Sequence, residues 1–150
     1  MKNRIKNAGF PLFFSIFILL VSFTGPEKIF SQNAPGISAS VNKKAFSPGE
    51  SGVLTISFRT GPKVKIPKDP EIVVTLTTGE IEGQGLQDYT GGDGDYISNS
   101  KVKYNFTVPG NAAGGSTITL SGNVKFGYCS TTDGVCKLAT KDFSAKVKVK

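Results

Sequence analysis

The stretch Gly122–Leu138, GNVKFGYCSTTDGVCKL, holds both cysteines of the chain, Cys129 and Cys136, one on each side of a reversal. Two thiols separated by Ser130 to Val135 can be joined only if the backbone doubles back, and Asp133-Gly134 is a pair that favours such a turn. Cys129 is therefore expected at the end of one strand and Cys136 at the start of the next. Their α-carbons should then fall within the roughly 4.4 to 6.8 Å that a disulfide requires.

The strand pattern extends outward from this hairpin in both directions. Upstream, Ile118, Leu120, Val124, Phe126 and Tyr128 share one face between Thr117 and Cys129, with a bulge expected at Gly122. Downstream, a last strand follows Cys136 and ends in AKVKVK. Before the glycine-rich PGNAAGG, Val102, Tyr104, Phe106 and Val108 alternate with Lys101, Lys103, Asn105 and Thr107. Leu54, Ile56 and Phe58 alternate with Thr55 and Ser57 in the same way. Ile37, Ala39 and Val41, followed by Ser47-Pro48-Gly49, predict a first edge strand. Prolines at 62, 67 and 70 exclude a central strand before Glu71, because proline cannot donate to the ladder, and Ile72 to Leu76 then forms a short β-branched strand. Gly79 to Asn99, with glycines at 79, 83, 85, 91, 92 and 94, is expected to be a long loop with at most a weak strand near Ile81. Loops of that length in compact domains are often functional.

No stretch after the N-terminal segment carries a helical period. Seven to eight short strands with frequent Gly and Pro turns predict an all-β chain, an immunoglobulin-like antiparallel β-sandwich, with a small barrel as the alternative.

The N-terminus reads differently. MKNRIKN has three positive charges and no negative one, and it precedes an apolar run from Phe10 to Phe23 broken only by Pro11, Ser15 and Ser22. This is the pattern of a secretory signal peptide, too short against the ~20 apolar residues of a spanning helix. Residues 1–31 are assigned to the leader, with cleavage expected after Ser31, and residues 32–150 to one domain; the mature chain has no membrane span. Export across the inner membrane, to a periplasmic location, places the two cysteines where disulfides persist.

The 150 residues contain 18 Lys+Arg and 11 Asp+Glu. The leader takes four of the basic and one of the acidic residues, so the remainder has 14 against 10, a net charge of +4. The lysines alternate with apolar residues, as on the wet face of a strand, rather than clustering with aromatics as a nucleic-acid surface requires. No nucleic-acid partner is expected.

Histidine is absent, which removes the usual general base, the commonest neutral metal ligand and every triad built on imidazole. Two cysteines alone do not make a structural zinc site. Asp88, Asp93 and Asp95 in DYTGGDGDY lack the ligand spacing of a calcium loop. No metal and no cofactor is expected. By chain entropy, closing the eight-residue ring from Cys129 to Cys136 stabilises by roughly 2.5 kcal/mol, against about 4.7 for a ring of a hundred residues. A disulfide at a hairpin end is also easy for another thiolate to reach. From the chemistry alone a structural tie and a redox-active pair both remain open.

At this hairpin the sequence resembles the family of the N-terminal periplasmic domain of DsbD, the transmembrane thiol:disulfide interchange protein. The resemblance rests on GDYISNS, KVKYNFTVP, STITLSGNVKFGYC and the closely following Cys136, in that order, while SPGESGVLTISF and IPKDPEIVVTLT look like the family's opening strands. It implies an immunoglobulin-like sandwich whose cysteine pair, on adjacent strands, takes electrons from a membrane carrier and passes them to periplasmic partners. By position that pair is Cys129 and Cys136. It also implies a cap loop whose aromatic shields the disulfide: Tyr96, with Asp95 beside it, or else Tyr89. An aromatic over a disulfide excludes wrong thiols, and a glycine-rich hinge can lift it when a partner docks.

The chain departs from that pattern in a spacer one residue longer, in Lys137-Leu138 where a proline-rich step is common, and in Val64-Lys65-Ile66 where an aromatic or histidine-bearing segment is common. Without histidine, Lys125, Lys137 and Lys141 are the nearby candidates for stabilising a thiolate. The expected function is that of a thiol:disulfide oxidoreductase domain. Its partners would be thioredoxin-like or membrane thiol:disulfide exchange proteins, the reductant being a separate protein. The alternative is a non-catalytic immunoglobulin-like binding or structural module in which the bond ties a hairpin.

Overall fold

The computed structural model describes residues 33–87, 89 and 94–150. The reading of residues 1–31 as a signal peptide lies outside them, as do Asp88 and Asp93. Eight strands follow in chain order: β1 Gly36–Val41, β2 Ser51–Arg59, β3 Val64–Lys65, β4 Val73–Leu76, β5 Glu82–Leu86, β6 Lys101–Thr107, β7 Thr117–Ser130 and β8 Cys136–Lys148. They form two antiparallel sheets, β1-β2-β6-β5 and a second built around β7. The chain is an all-β, immunoglobulin-like antiparallel sandwich, as its alternating apolar residues require.

Those residues meet between the sheets. Leu54 and Ile56 of β2, Phe106 of β6, and Leu120, Val124 and Phe126 of β7 are fully buried. The Phe58 and Phe126 rings lie 4.7 Å apart across the two layers. Each such side chain contributes roughly 1.5–3 kcal/mol on burial. Any two of them therefore outweigh the about 2.5 kcal/mol of the ring closure, so the core contributes more to the fold than the disulfide does.

In the second sheet β8 lines one edge of β7 throughout, from Thr117↔Lys148 to Cys129↔Cys136. The other edge is shared: β3 pairs at Ser130 and Cys129, and β4 pairs from Lys125 to Gly122. Lys65 opposes Cys129 and Val73 opposes Lys125, so this edge uses eight residues (65 to 73) where β7 advances by four (129 to 125). The surplus forms an excursion carrying Pro67 and Pro70, and the prolines sit on an edge as expected.

One expectation changes, and another resolves in favour of the weak strand near Ile81. The β7–β8 register is unbroken, so Gly122 is not a bulge. A Cβ there would lie 2.2 Å from the Thr75 carbonyl oxygen and 2.9 Å from Phe143 Cζ, so glycine serves close approach of β4 and of the Phe143 ring. The long loop expected from Gly79 to Asn99 contains β5, which starts one residue after Ile81 and pairs with β6 through an irregularity between Gly83 and Gly85. EGQGL has no apolar alternation to announce a strand. Its order comes from the ladder with β6 and from Gly83, whose Cβ would fall 2.3 Å from Tyr104 Oη.

Candidate functional site

Cys129 and Cys136 are bonded, with an S–S distance of 2.06 Å and α-carbons 4.0 Å apart. That separation is shorter than the range expected from the sequence. The cysteines oppose each other directly, and the adjoining bond from Ser130 N–H to the Val135 carbonyl, 2.9 Å, marks theirs as a non-hydrogen-bonded pair. At such pairs opposed α-carbons approach to about 4.5 Å.

The turn closes beyond the bond. Gly134 takes a positive φ of 70° and donates its N–H to the Ser130 carbonyl at 3.1 Å. The Asp133 carboxylate accepts the Val135 N–H at 3.1 Å. Hydrogen bonds from the Ser130 side chain and the Val135 N–H hold the Asp133 carboxyl below the usual aspartate range. Because its folded value is depressed, the stabilisation is complete above the ordinary value of about 4 and is lost as pH falls through the folded value. The Val135 amide proton should therefore titrate in NMR with a midpoint below that of an ordinary aspartate, and Asp133→Asn should abolish the titration. A midpoint at the ordinary value would show that the carboxylate does not anchor the turn.

Along β7, Phe126 and Tyr128 point into the core, and alternation sends Lys125, Gly127 and Cys129 to the outer face. Cys129 is nevertheless only 3% exposed. Its neighbours explain this. Cys136 opposes it on β8 and Lys65 opposes it on β3. Pro67 lies over Gly127, where an added Cβ would be 3.1 Å from Pro67 Cγ. Cys136, at the free margin of β8, is exposed.

Tyr96 joins this face through a bridge to Pro67. Lys68 N–H donates to the Asp95 carbonyl at 2.8 Å, and Ile97 N–H to the Ile66 carbonyl at 3.0 Å. Lys65 Nζ lies 5.1 Å from the centroid of the Tyr96 ring. Tyr96 and Asp95 thus border the disulfide's face, with Lys65 between Tyr96 and Cys129. Tyr89 is engaged elsewhere: its hydroxyl oxygen accepts the Ile72 N–H at 2.8 Å just ahead of β4, and burial pushes its phenol up.

Of the lysines singled out from the sequence, only Lys125 shares the outer face. Lys137 opposes Tyr128 and Lys141 opposes Val124, which turns both toward the other side of the sheet. The cation in the cysteine's own row is Lys65. A two-residue strand between Pro62 and Pro67 has no periodicity to reveal its face, so the sequence carried no signal for it.

The outer face is apolar only around the disulfide. Leu138, opposite Gly127, is 60% exposed and Tyr96 is 36% exposed; Val73, opposite Lys125, and Val135 in the turn are exposed too. These four are the exposed large hydrophobic residues among the described residues. Farther along the same face β7 presents Thr119, Ser121 and Asn123, and β8 presents Ser144, Lys146 and Lys148. Concentrated exposed apolar surface marks a contact site more often than scattered single residues do. Among the described residues there is no cluster of three metal-ligating side chains, and no helix long and apolar enough to cross a membrane.

No family model matches the sequence, and no curated protein matches it. Among solved structures the chain is similar to the sixth cohesin from Acetivibrio cellulolyticus scaffoldin B, in a complex with a mutant Cel5 dockerin. The identity is 16% and the TM-score 0.35, over 77% of this chain and 99% of that one.

Proposed function

We propose that this chain is an exported thiol:disulfide exchange domain, akin to the N-terminal periplasmic domain of DsbD. In this reading it passes reducing equivalents between a membrane electron carrier and periplasmic partner proteins through the Cys129/Cys136 pair. The observation that carries this is the asymmetry of the bond: Cys136 is exposed at the margin of β8, Cys129 is only 3% exposed, and the exposed apolar Val135 and Leu138 lie on either side of Cys136 along the chain.

The chemistry follows from that asymmetry. A partner thiolate reaches the Cys136 sulfur, forms a mixed disulfide with it and expels Cys129 as a thiolate. A second thiolate on the partner then attacks the partner's own bridged sulfur and releases Cys136. The partner leaves as a disulfide, the domain as a dithiol, and solvent supplies any protons the new thiolates take up. Leu138 and Tyr96 flank the approach and offer a docking partner apolar contact, while Tyr96 and Pro67 limit access from the β3 side.

The reduction potential of the purified domain tests this. Exchange requires a value above the roughly −300 mV below which structural disulfides lie. A value below that limit would identify the chain as an inert immunoglobulin-like binding or structural module.

A further inference from the structure

The geometry points to Lys65 as the cation that compensates the charge on the Cys129 sulfur when the disulfide opens, an inference that rests on the exchange reading above. Cys129 has two directly opposed neighbours on its face, Cys136 from β8 and Lys65 from β3. Opposed residues on one face hold their Cβ atoms about 4.5–5.5 Å apart. A lysine stem is long enough to carry its ammonium across that gap.

The charge needs compensation because of where it appears. Attack on Cys136 breaks the S–S bond and leaves its electron pair on the Cys129 sulfur, which is 3% exposed and poorly hydrated. Burial disfavours a thiolate, and a cation beside it favours one. A leaving thiol with a lower pKa also departs faster.

Other charged groups around Cys129 are less well placed. On β7, Lys125 is the second residue along on the same face, beyond Gly127. On β8, Lys137 opposes Tyr128 and faces the other way. In the turn, the Asp133 carboxylate is engaged with Val135 N–H. Lys63, whose carbonyl accepts the Thr131 N–H at 2.9 Å, lies one pair beyond on the same face, Asp69 in the proline excursion and Asp95 beside Tyr96, none of them in the Cys129 row. Among the described residues Lys65 has no carboxylate partner, and its ammonium sits over the Tyr96 ring, 5.1 Å from the centroid. At an exposed site a ring face competes weakly with a thiolate for an ammonium. Lys65 therefore turns from Tyr96 toward Cys129 as the bond opens, and Tyr96 loses its cation in the reduced domain.

The test uses Cys136→Ser, which leaves Cys129 as the only thiol, titrated by ultraviolet thiolate absorbance. Adding Lys65→Met should raise the Cys129 midpoint by about one pH unit, a tenfold loss of thiolate at a given pH. Lys65→Arg should restore the midpoint, and Lys125→Met should move it by less than about a third as much. In the two-cysteine domain equilibrated with glutathione, Lys65→Met should match the parent at pH values below both thiol midpoints. Above them its disulfide should become about tenfold harder to reduce, equivalent to about 30 mV.

An unchanged midpoint in Lys65→Met, or equal shifts from Lys65→Met and Lys125→Met, would overturn the assignment. Its failure is separable from failure of the exchange reading. A parent potential below the structural limit with the Lys65 shift intact would remove exchange and leave the charge pairing standing. A high parent potential with no Lys65 effect would do the reverse.

Discussion

Cys129→Ser should turn this domain into a trap for its partner, whereas Cys136→Ser should not. The expectation comes from access. Cys136 is exposed on β8, while Cys129, between Lys65 of β3 and its own bonded neighbour, is 3% exposed. An incoming thiolate must align with the S–S axis, and it can do so from outside only at the Cys136 end. In Cys129→Ser no S–S bond remains, so the mixed disulfide forms in the opposite direction: the exposed Cys136 thiolate attacks an oxidised partner's disulfide and expels one partner thiolate, and the Cys129 thiol that would resolve the adduct is missing. Covalent adducts recovered from cells by non-reducing electrophoresis should be roughly tenfold or more abundant with Cys129→Ser than with Cys136→Ser. A predominance of Cys136→Ser adducts would reverse the order of attack. Recovering neither would favour the inert module.

Phe126→Ala should cost more stability than losing the disulfide altogether. Phe126 is fully buried, lies 4.7 Å from Phe58 across the sandwich and 6.4 Å from Tyr128, and belongs to the strand that anchors every other element of its sheet. Truncating such a ring removes about 3–5 kcal/mol through lost burial and the cavity left behind. On a domain of this length that lowers Tm by something on the order of 10–20 °C. Replacing both cysteines by alanine should cost only about 2.5 kcal/mol, the loop entropy of an eight-residue ring. Chemical denaturation of the two variants decides the matter. If the cysteine-free domain proves as damaged as Phe126→Ala, the bond is a staple and the domain cannot survive repeated reduction. If the order holds, the dithiol form is a folded protein, as a carrier of electrons must be.

The sandwich was legible because the residues that build it alternate without interruption. Leu54–Ile56–Phe58, Val102–Tyr104–Phe106 and Val124–Phe126–Tyr128 each announce one buried face, and all of these residues are buried. The hairpin was legible from Asp133-Gly134 between two thiols. Contacts made by pairing rather than by pattern leave a weaker trace in the sequence. β5 is glycine-rich and ordered by β6. Gly122 looked like an irregularity and is a close contact with Thr75 and Phe143. Lys65, sixty-four residues before Cys129 in the chain, reaches it only because β7 carries β3 and β4 on one edge with a proline excursion between them. Local sequence cannot encode which face a two-residue strand presents; the ladder decides it.

The open edge of β8 has a consequence for how the chain behaves in company. Among the described residues β8 makes its ladder with β7 alone, and only at its last residue is the opposite margin taken, where the Lys148 carbonyl accepts the Phe46 N–H, leaving the peptide groups from Cys136 to Val147 along that margin. Such a margin is a template on which further copies can add as strands and grow into fibrils. Lys137, Lys141, Lys146 and Lys148 are spaced along it, so a second copy arriving edge to edge brings like charges together and must strip water from them. These lysines, two on each face of β8, thus keep neighbouring molecules from zipping onto it.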